Sequence, residues 1–168
     1  MDLNELNELY QDTLLDHYKN PRGRKTIERC DVQKQGFNPL CGDRVTMCAA
    51  FKNDTLTDIS VESKGCAISV ASGSMLAELL PGKTIEEIER IAEAFREMMH
   101  GKEVPDDIDF GELDALEGVR KYSSRVKCAM LPWVTLKDMI RLWKQNSAPD
   151  NKPSTTEDTE RYRSIRNS

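Results

Sequence analysis

Apolar residues Leu6, Leu9, Tyr10, Leu14 and Tyr18 recur at helical spacing, so the chain is predicted to open with a helix over residues 3–18. Asn20-Pro21 and Gly23 stop it. The period then shortens to two. Residues 27–33 make a weak strand candidate, whereas 44–52 alternates Val45, Met47, Ala49 and Phe51 against Thr46, Cys48 and Ala50. A third strand over 56–64 alternates Ile59 and Val61 with polar neighbours, and Asn53-Asp54 supplies a hairpin turn before it. Together these predict a small three-stranded antiparallel sheet with one face covered by helices.

The helical period returns after Gly65. CAISVASGSMLAELL reads as a helix ended by Pro81-Gly82, and Thr84 with Glu87 forms a capping-box pattern that opens the next. The stripe of that next helix is Ile88, Ile91, Phe95 and Met98, and Gly101 closes it. An acidic stretch over 103–118 carries Pro105 and a short helix around 110–116. The last helix is expected over 131–145, with Trp133, Leu136, Ile140 and Trp143 on one face and Pro132 in its first turn, where a missing N–H costs nothing. Residues 146–168 are polar, bear prolines and hold almost nothing apolar, so a disordered tail is expected after a single α+β domain over 1–145.

Composition narrows the function. Twenty-four basic residues against 29 acidic ones leave a net charge of -5, which argues against nucleic acid as a partner. No apolar run approaches a membrane span, and the N-terminus has neither a basic flank nor a signal-like core. A cytoplasmic protein with no membrane partner is expected. The one dense basic patch, Lys19, Arg22, Arg24 and Lys25, reads either as a solvated loop or as a docking patch for an acidic partner.

Five cysteines, at 30, 41, 48, 66 and 128, then change the picture. Disulfides are rare in a reducing compartment, so a cysteine set there points to metal or redox chemistry. With only His17 and His100 as histidines, such a site would be dominated by sulfur. Cys30 and Cys48 fall inside strand candidates and read as inert, half-buried thiols. Cys41 precedes a strand, Cys66 opens a helix and Cys128 sits just before the last helix, so all three occupy element ends that can converge. The helix dipole at Cys66 favours its thiolate, the form that binds metal. Spacing alone leaves the matter open, because no Cys-x-x-Cys is present and the separations match no zinc-finger pattern. Asp43 is likewise either a turn residue or a fourth, oxygen ligand.

Three blocks resolve this by resemblance. NPLCGD at 38–43, GCAISVASGSM at 65–75 and RVKCAMLPW at 125–133 resemble the signature blocks of the IscU/NifU-N family of iron–sulfur cluster assembly proteins, over nearly the whole chain to about residue 145. Lys127 stands where IscU-type scaffolds carry a histidine, an extra acidic segment runs over 102–122, and no Leu-Pro-Pro-Val-Lys motif lies near Cys128. That combination is similar to the SufU branch of the family.

The resemblance implies an IscU/SufE-like fold and one zinc ion held by Cys41, Asp43, Cys66 and Cys128. It implies a zinc-dependent sulfurtransferase that takes persulfide sulfur from a pyridoxal-phosphate (PLP) cysteine desulfurase, SufS-like, and delivers it to a SUF-type scaffold complex. In such proteins a partner histidine replaces one cysteine on the metal, and the matching acceptor here is Cys41, whose place between Pro39 and Gly42 suits a ligand that swings out. The formal charge of zinc with three thiolates and a carboxylate is negative, so Arg125 is expected as a supporting cation, with Lys127 an ordinary surface charge. The alternative is a scaffold that assembles an iron–sulfur cluster on the same ligands, and a purely structural zinc module is a third reading.

Overall fold

Alternation along the sheet's central strand organises the protein. In the computed structural model, which describes residues 3–147 and side chains from Tyr10 onward, strand β1 spans Val32–Asn38, β2 Asp43–Lys52 and β3 Thr55–Lys64. They lie in the order β1-β2-β3, both pairs antiparallel. Val45, Met47, Ala49 and Phe51 form the inward row of β2, and the same period places Asp43, the first residue of the strand, on that row. Asn53 and Asp54 both have positive φ, 50° and 61°, as a tight hairpin turn requires.

Helices cover the inner face. Helix α1 spans Leu3–Lys19, α2 Ala67–Leu79, α3 Ile85–Met99 and α4 Ser123–Ser147, with a 3₁₀ segment over Gly111–Lys121 ahead of α4. The expected capping box is formed: Glu87 N–H donates to Thr84 Oγ1 at 3.2 Å and Thr84 N–H to Glu87 Oε2 at 2.9 Å. Trp133 packs on Phe95 and Trp143 stacks on Phe51, so α4 ties α3 and the sheet into one core. The expected tail lies outside the described residues from position 148 onward.

Four expectations are corrected. The first strand runs over 32–38 and not 27–33. Its inner side carries Gly36 because α4 lies directly on it: a Cβ there would come within 2.0 Å of Thr135 Oγ1. The chain before it turns instead, with Asp31 accepting from Phe51 N–H at 2.9 Å. The last helix begins at Ser123, eight residues early, so Pro132 sits in its interior and Cys128 inside the helix rather than before it. Proline there removes the hydrogen bond to the Cys128 carbonyl. Burial of Cys128, Ala129, Leu131 and Trp133 offsets the loss. The short helix expected at 110–116 is a longer 3₁₀ segment.

Cys30 and Cys48, expected as inert thiols, are joined by a disulfide across 18 residues, with Cα atoms 5.5 Å apart. Cys30 precedes β1 instead of lying in a strand, so its side chain turns onto the outer row of β2, where Cys48 stands.

Two stability effects follow. Closing an 18-residue loop contributes about 3 kcal/mol, so Cys48→Ser in the oxidised protein lowers the urea midpoint, and reductant brings the wild type down to the variant. Gly36→Ala forces α4 off β1 and costs about 1–3 kcal/mol. Thr135→Ala in the same chain recovers part of that loss in the same titration.

Candidate metal centre

Three chain turns meet at one end of the sheet. Asn38 ends β1 and pairs with Asp43 at the start of β2, so residues 39–42 form a tight loop between two paired residues. Cys41 N–H donates to Asn38 O at 3.3 Å, and Gly42 takes the positive φ, +69°, that returns the chain. Cys41 is thereby half-buried, with Leu40 exposed beside it.

The second turn is the β3–α2 junction. Gly65 has φ +137°, and a Cβ on it would lie 2.2 Å from Asp43 Oδ1, so only glycine lets this turn close on the carboxylate. Cys66 is the N-cap of α2. Its N–H donates to Asp43 Oδ1 at 2.8 Å, and its Sγ lies 3.7 Å from Asp43 Oδ2. A carboxylate only 1% exposed is thus held at a helix N-terminus, where the dipole and free N–H groups favour negative charge.

The third element is the start of α4. Cys128 is fully buried, with its Sγ 3.3 Å from Cys41 Sγ and 3.8 Å from the Nδ2 of buried Asn38. Arg125 lies three residues earlier on the same helix, near enough to Cys128, Cys66 and Cys41 to interact with all three electrostatically.

Of the four residues singled out in the sequence, Cys41, Asp43 and Cys128 bring their ligand atoms together and Cys66 lies against Asp43, which belongs to a strand rather than a turn. Asn38 is the member of the site that sequence reasoning misses, since Asn-Pro explains itself as turn vocabulary. Its place in the same short block as two candidate ligands is the signal that could have found it.

Electrostatics reflect the crowding of acceptors. Burial pushes the Cys128 thiol well up from its ordinary value, and neighbouring Asp43, Cys41 and Cys66 push it the same way. The exposed Arg125 guanidinium is held more firmly in its charged form, first by neighbouring Cys128 and then by charge on Cys66 and Cys41. Lys127 is exposed, in keeping with an ordinary surface charge.

The donor set fits zinc. The ligand atoms of Cys41, Asp43 and Cys128 lie within 4.8 Å of one another, and Cys66 joins them through Asp43. A tetrahedral zinc ion with sulfur at ~2.3 Å and oxygen at ~2.0 Å separates two sulfurs by roughly 3.8 Å and sulfur from oxygen by roughly 3.5 Å; here the Cys41 and Cys128 sulfurs are 3.3 Å apart and Cys66 Sγ is 3.7 Å from Asp43 Oδ2, each within half an ångström of that. A second group, His17, Glu78 and Glu112, is already occupied by internal bonds. His17 bonds Ser74 Oγ at 2.7 Å and Glu112, while Arg22 bonds Glu78 at 3.0 Å.

Known proteins share this frame. The NifU-like N terminal domain matches residues 9–129. Zinc-dependent sulfurtransferase SufU of Bacillus subtilis (strain 168) is 41% identical over 131 residues, 78% of this chain and 88% of its own. Iron-sulfur cluster assembly scaffold protein IscU of Streptococcus pyogenes serotype M1 is 37% identical over 141 residues, 84% of this chain and 88% of its own. Among solved structures, the putative iron–sulfur cluster assembly scaffold protein for the SUF system from Fervidobacterium islandicum AW-1 superposes with a TM-score of 0.74 at 34% identity, covering 80% of this chain and 98% of its own. With a domain match over residues 9–129 and 41% identity across most of both chains, the protein belongs to the NifU-like N-terminal domain family, whose relatives here are named as a zinc-dependent sulfurtransferase and as iron–sulfur cluster assembly scaffolds.

Proposed function

We propose that the protein is a zinc-dependent sulfurtransferase in which Cys41 accepts persulfide sulfur from a PLP-dependent, SufS-like cysteine desulfurase and passes it to SUF-type cluster assembly in the cytoplasm. The observation that carries this reading is the inequality of the three thiols. Cys128 is fully buried in a helix, and Cys66 is tied to Asp43 through its own N–H. Cys41 and Cys66 are both half-buried, but of the three only Cys41 lies in a short loop with no hydrogen bond from its own N–H to Asp43. The B. subtilis relative, named a zinc-dependent sulfurtransferase, supports it.

Cys41, Asp43, Cys66 and Cys128 would hold the metal. Bound zinc supplies the positive charge that keeps buried thiols ionised at neutral pH. The chain's own residues then divide the work. The Cys41 thiolate attacks the outer sulfur of the desulfurase persulfide, a new S–S bond forms on Cys41, the old S–S bond breaks, and the desulfurase cysteine departs as a thiolate. Asp43, Cys66 and Cys128 keep their places. Arg125, exposed beside the cysteine cluster, offsets negative charge as the partner's persulfide approaches. Exposed Leu40 and Tyr122 offer apolar contact beside the site for the docking desulfurase. No described helix is long and apolar enough to cross a membrane.

A second reading makes the same four groups a scaffold for a cluster under assembly. The S. pyogenes and F. islandicum relatives, both named as scaffold proteins, favour it.

Metal analysis separates the two. Protein purified without reconstitution carries about one zinc per chain and stimulates the desulfurase until a chelator removes the metal; brown, cluster-bearing protein without stimulation establishes the scaffold instead. Cys41→Ala reduces sulfur acceptance from isotope-labelled cysteine to background while circular dichroism stays unchanged. Acceptance at the normal rate would falsify Cys41 as the acceptor.

A further inference from the structure

One buried side chain at the site is neither a candidate ligand nor part of the core. Asn38 is 6% exposed, and its amide nitrogen lies 3.8 Å from Cys128 Sγ, within range of an N–H···S hydrogen bond. A thiolate only accepts, so the amide must face it with its nitrogen. The Asn38 backbone carbonyl meanwhile receives the N–H of Cys41. Asn38 therefore touches both the cysteine proposed to stay and the cysteine proposed to leave, through different groups.

Its own position is tightly set. It is the last paired residue of β1, opposite Asp43, and Pro39 after it confines its backbone to the extended region. The side chain is thus aimed by the sheet, not by the loop, so turning the Cys41 side chain leaves it on Cys128.

A hydrogen bond to a thiolate draws electron density from sulfur and makes it a weaker nucleophile. Among the described residues, no N–H donor reaches Cys41 Sγ. Cys41 and Cys128 sulfurs lie 3.3 Å apart, so an incoming electrophile meets both and some feature must separate them.

We propose that Asn38 is the positioning residue that selects the acceptor: its side-chain amide quiets Cys128 by an N–H···S bond and leaves Cys41 as the reactive thiolate. This rests on the zinc-bound, Cys41-acceptor reading above.

The test uses full-length, zinc-loaded wild type, Asn38→Asp and Asn38→Leu. Asn38→Leu replaces the amide by an apolar group and removes the donor, whereas the buried carboxyl of Asn38→Asp still donates while protonated. Each is treated with a limiting amount of iodoacetamide, and alkylation at Cys41 and Cys128 is resolved by mass spectrometry. In the wild type Cys41 reacts first; in Asn38→Leu the Cys41-to-Cys128 ratio falls about tenfold, and part of the sulfur delivered by a desulfurase appears on Cys128, while in Asn38→Asp the ratio falls less. Cobalt-substituted protein gives a reading independent of activity: loss of the N–H···S bond raises the sulfur orbitals and moves the thiolate-to-cobalt band to longer wavelength.

Failures of different kinds are distinguishable. If wild-type Cys41 is not the faster thiol, the acceptor reading itself is wrong and the selector role goes with it. If Cys41 leads in the wild type and Asn38→Leu, with its metal retained, leaves both ratio and band unmoved, Asn38 has no selecting role and the acceptor reading stands.

Discussion

A buried carboxylate must be met by donors or by positive charge, and Asp43 imposes that requirement on everything around it. It stands on the inward row of β2 because the strand's alternation puts it there. The donor it finds is the N–H of Cys66 at the head of α2. That contact fixes where β3 must end, requires glycine at position 65, and carries Cys66 to the same place. The pairing of Asp43 with Asn38 sets the length of the loop that presents Cys41. Helix α4 then closes the cluster by lying on β1 at Gly36, which brings Cys128 under Asn38. The geometry of four candidate ligands thus descends from one acidic group placed where water does not reach it.

How much of this is legible in the chain depends on whether a local pattern is also the tertiary one. β2 and β3 announce themselves, because one face is buried along their whole length and the residues alternate accordingly. Thr84 and Glu87 likewise state the start of α3 locally. β1 is nearly silent: its sequence is VQKQGFN, and in its middle, at Gly36, the inner side is filled by Thr135 of a helix about a hundred residues away rather than by a side chain of its own. The start of α4 is hidden by Pro132, since local chemistry places a proline at a helix beginning while burial of Trp133 and Leu136 carries the helix through it. The bond between Cys30 and Cys48 is hidden too, because their pairing depends on where β1 begins.

The candidate site is legible in a different way. Spacing among Cys41, Cys66 and Cys128 says little, because their meeting is a property of the fold and of no single segment. The three sequence blocks that hold them carry the information. Asn38 escapes for a related reason: its local role in a turn is sufficient to explain it, and its second role appears only when Cys128 is brought beneath it.

The loop over residues 39–42 is anchored at both ends by paired strand residues, and this limits how far Cys41 can travel. Turning its side chain to another rotamer moves the sulfur by less than its own diameter. On the function proposed above, an exchange of sulfur would then take place at this protein's own surface, with the donor supplying the reach. What the loop offers in return is a fixed address: the Cys41 sulfur lies within one rotation of the same point.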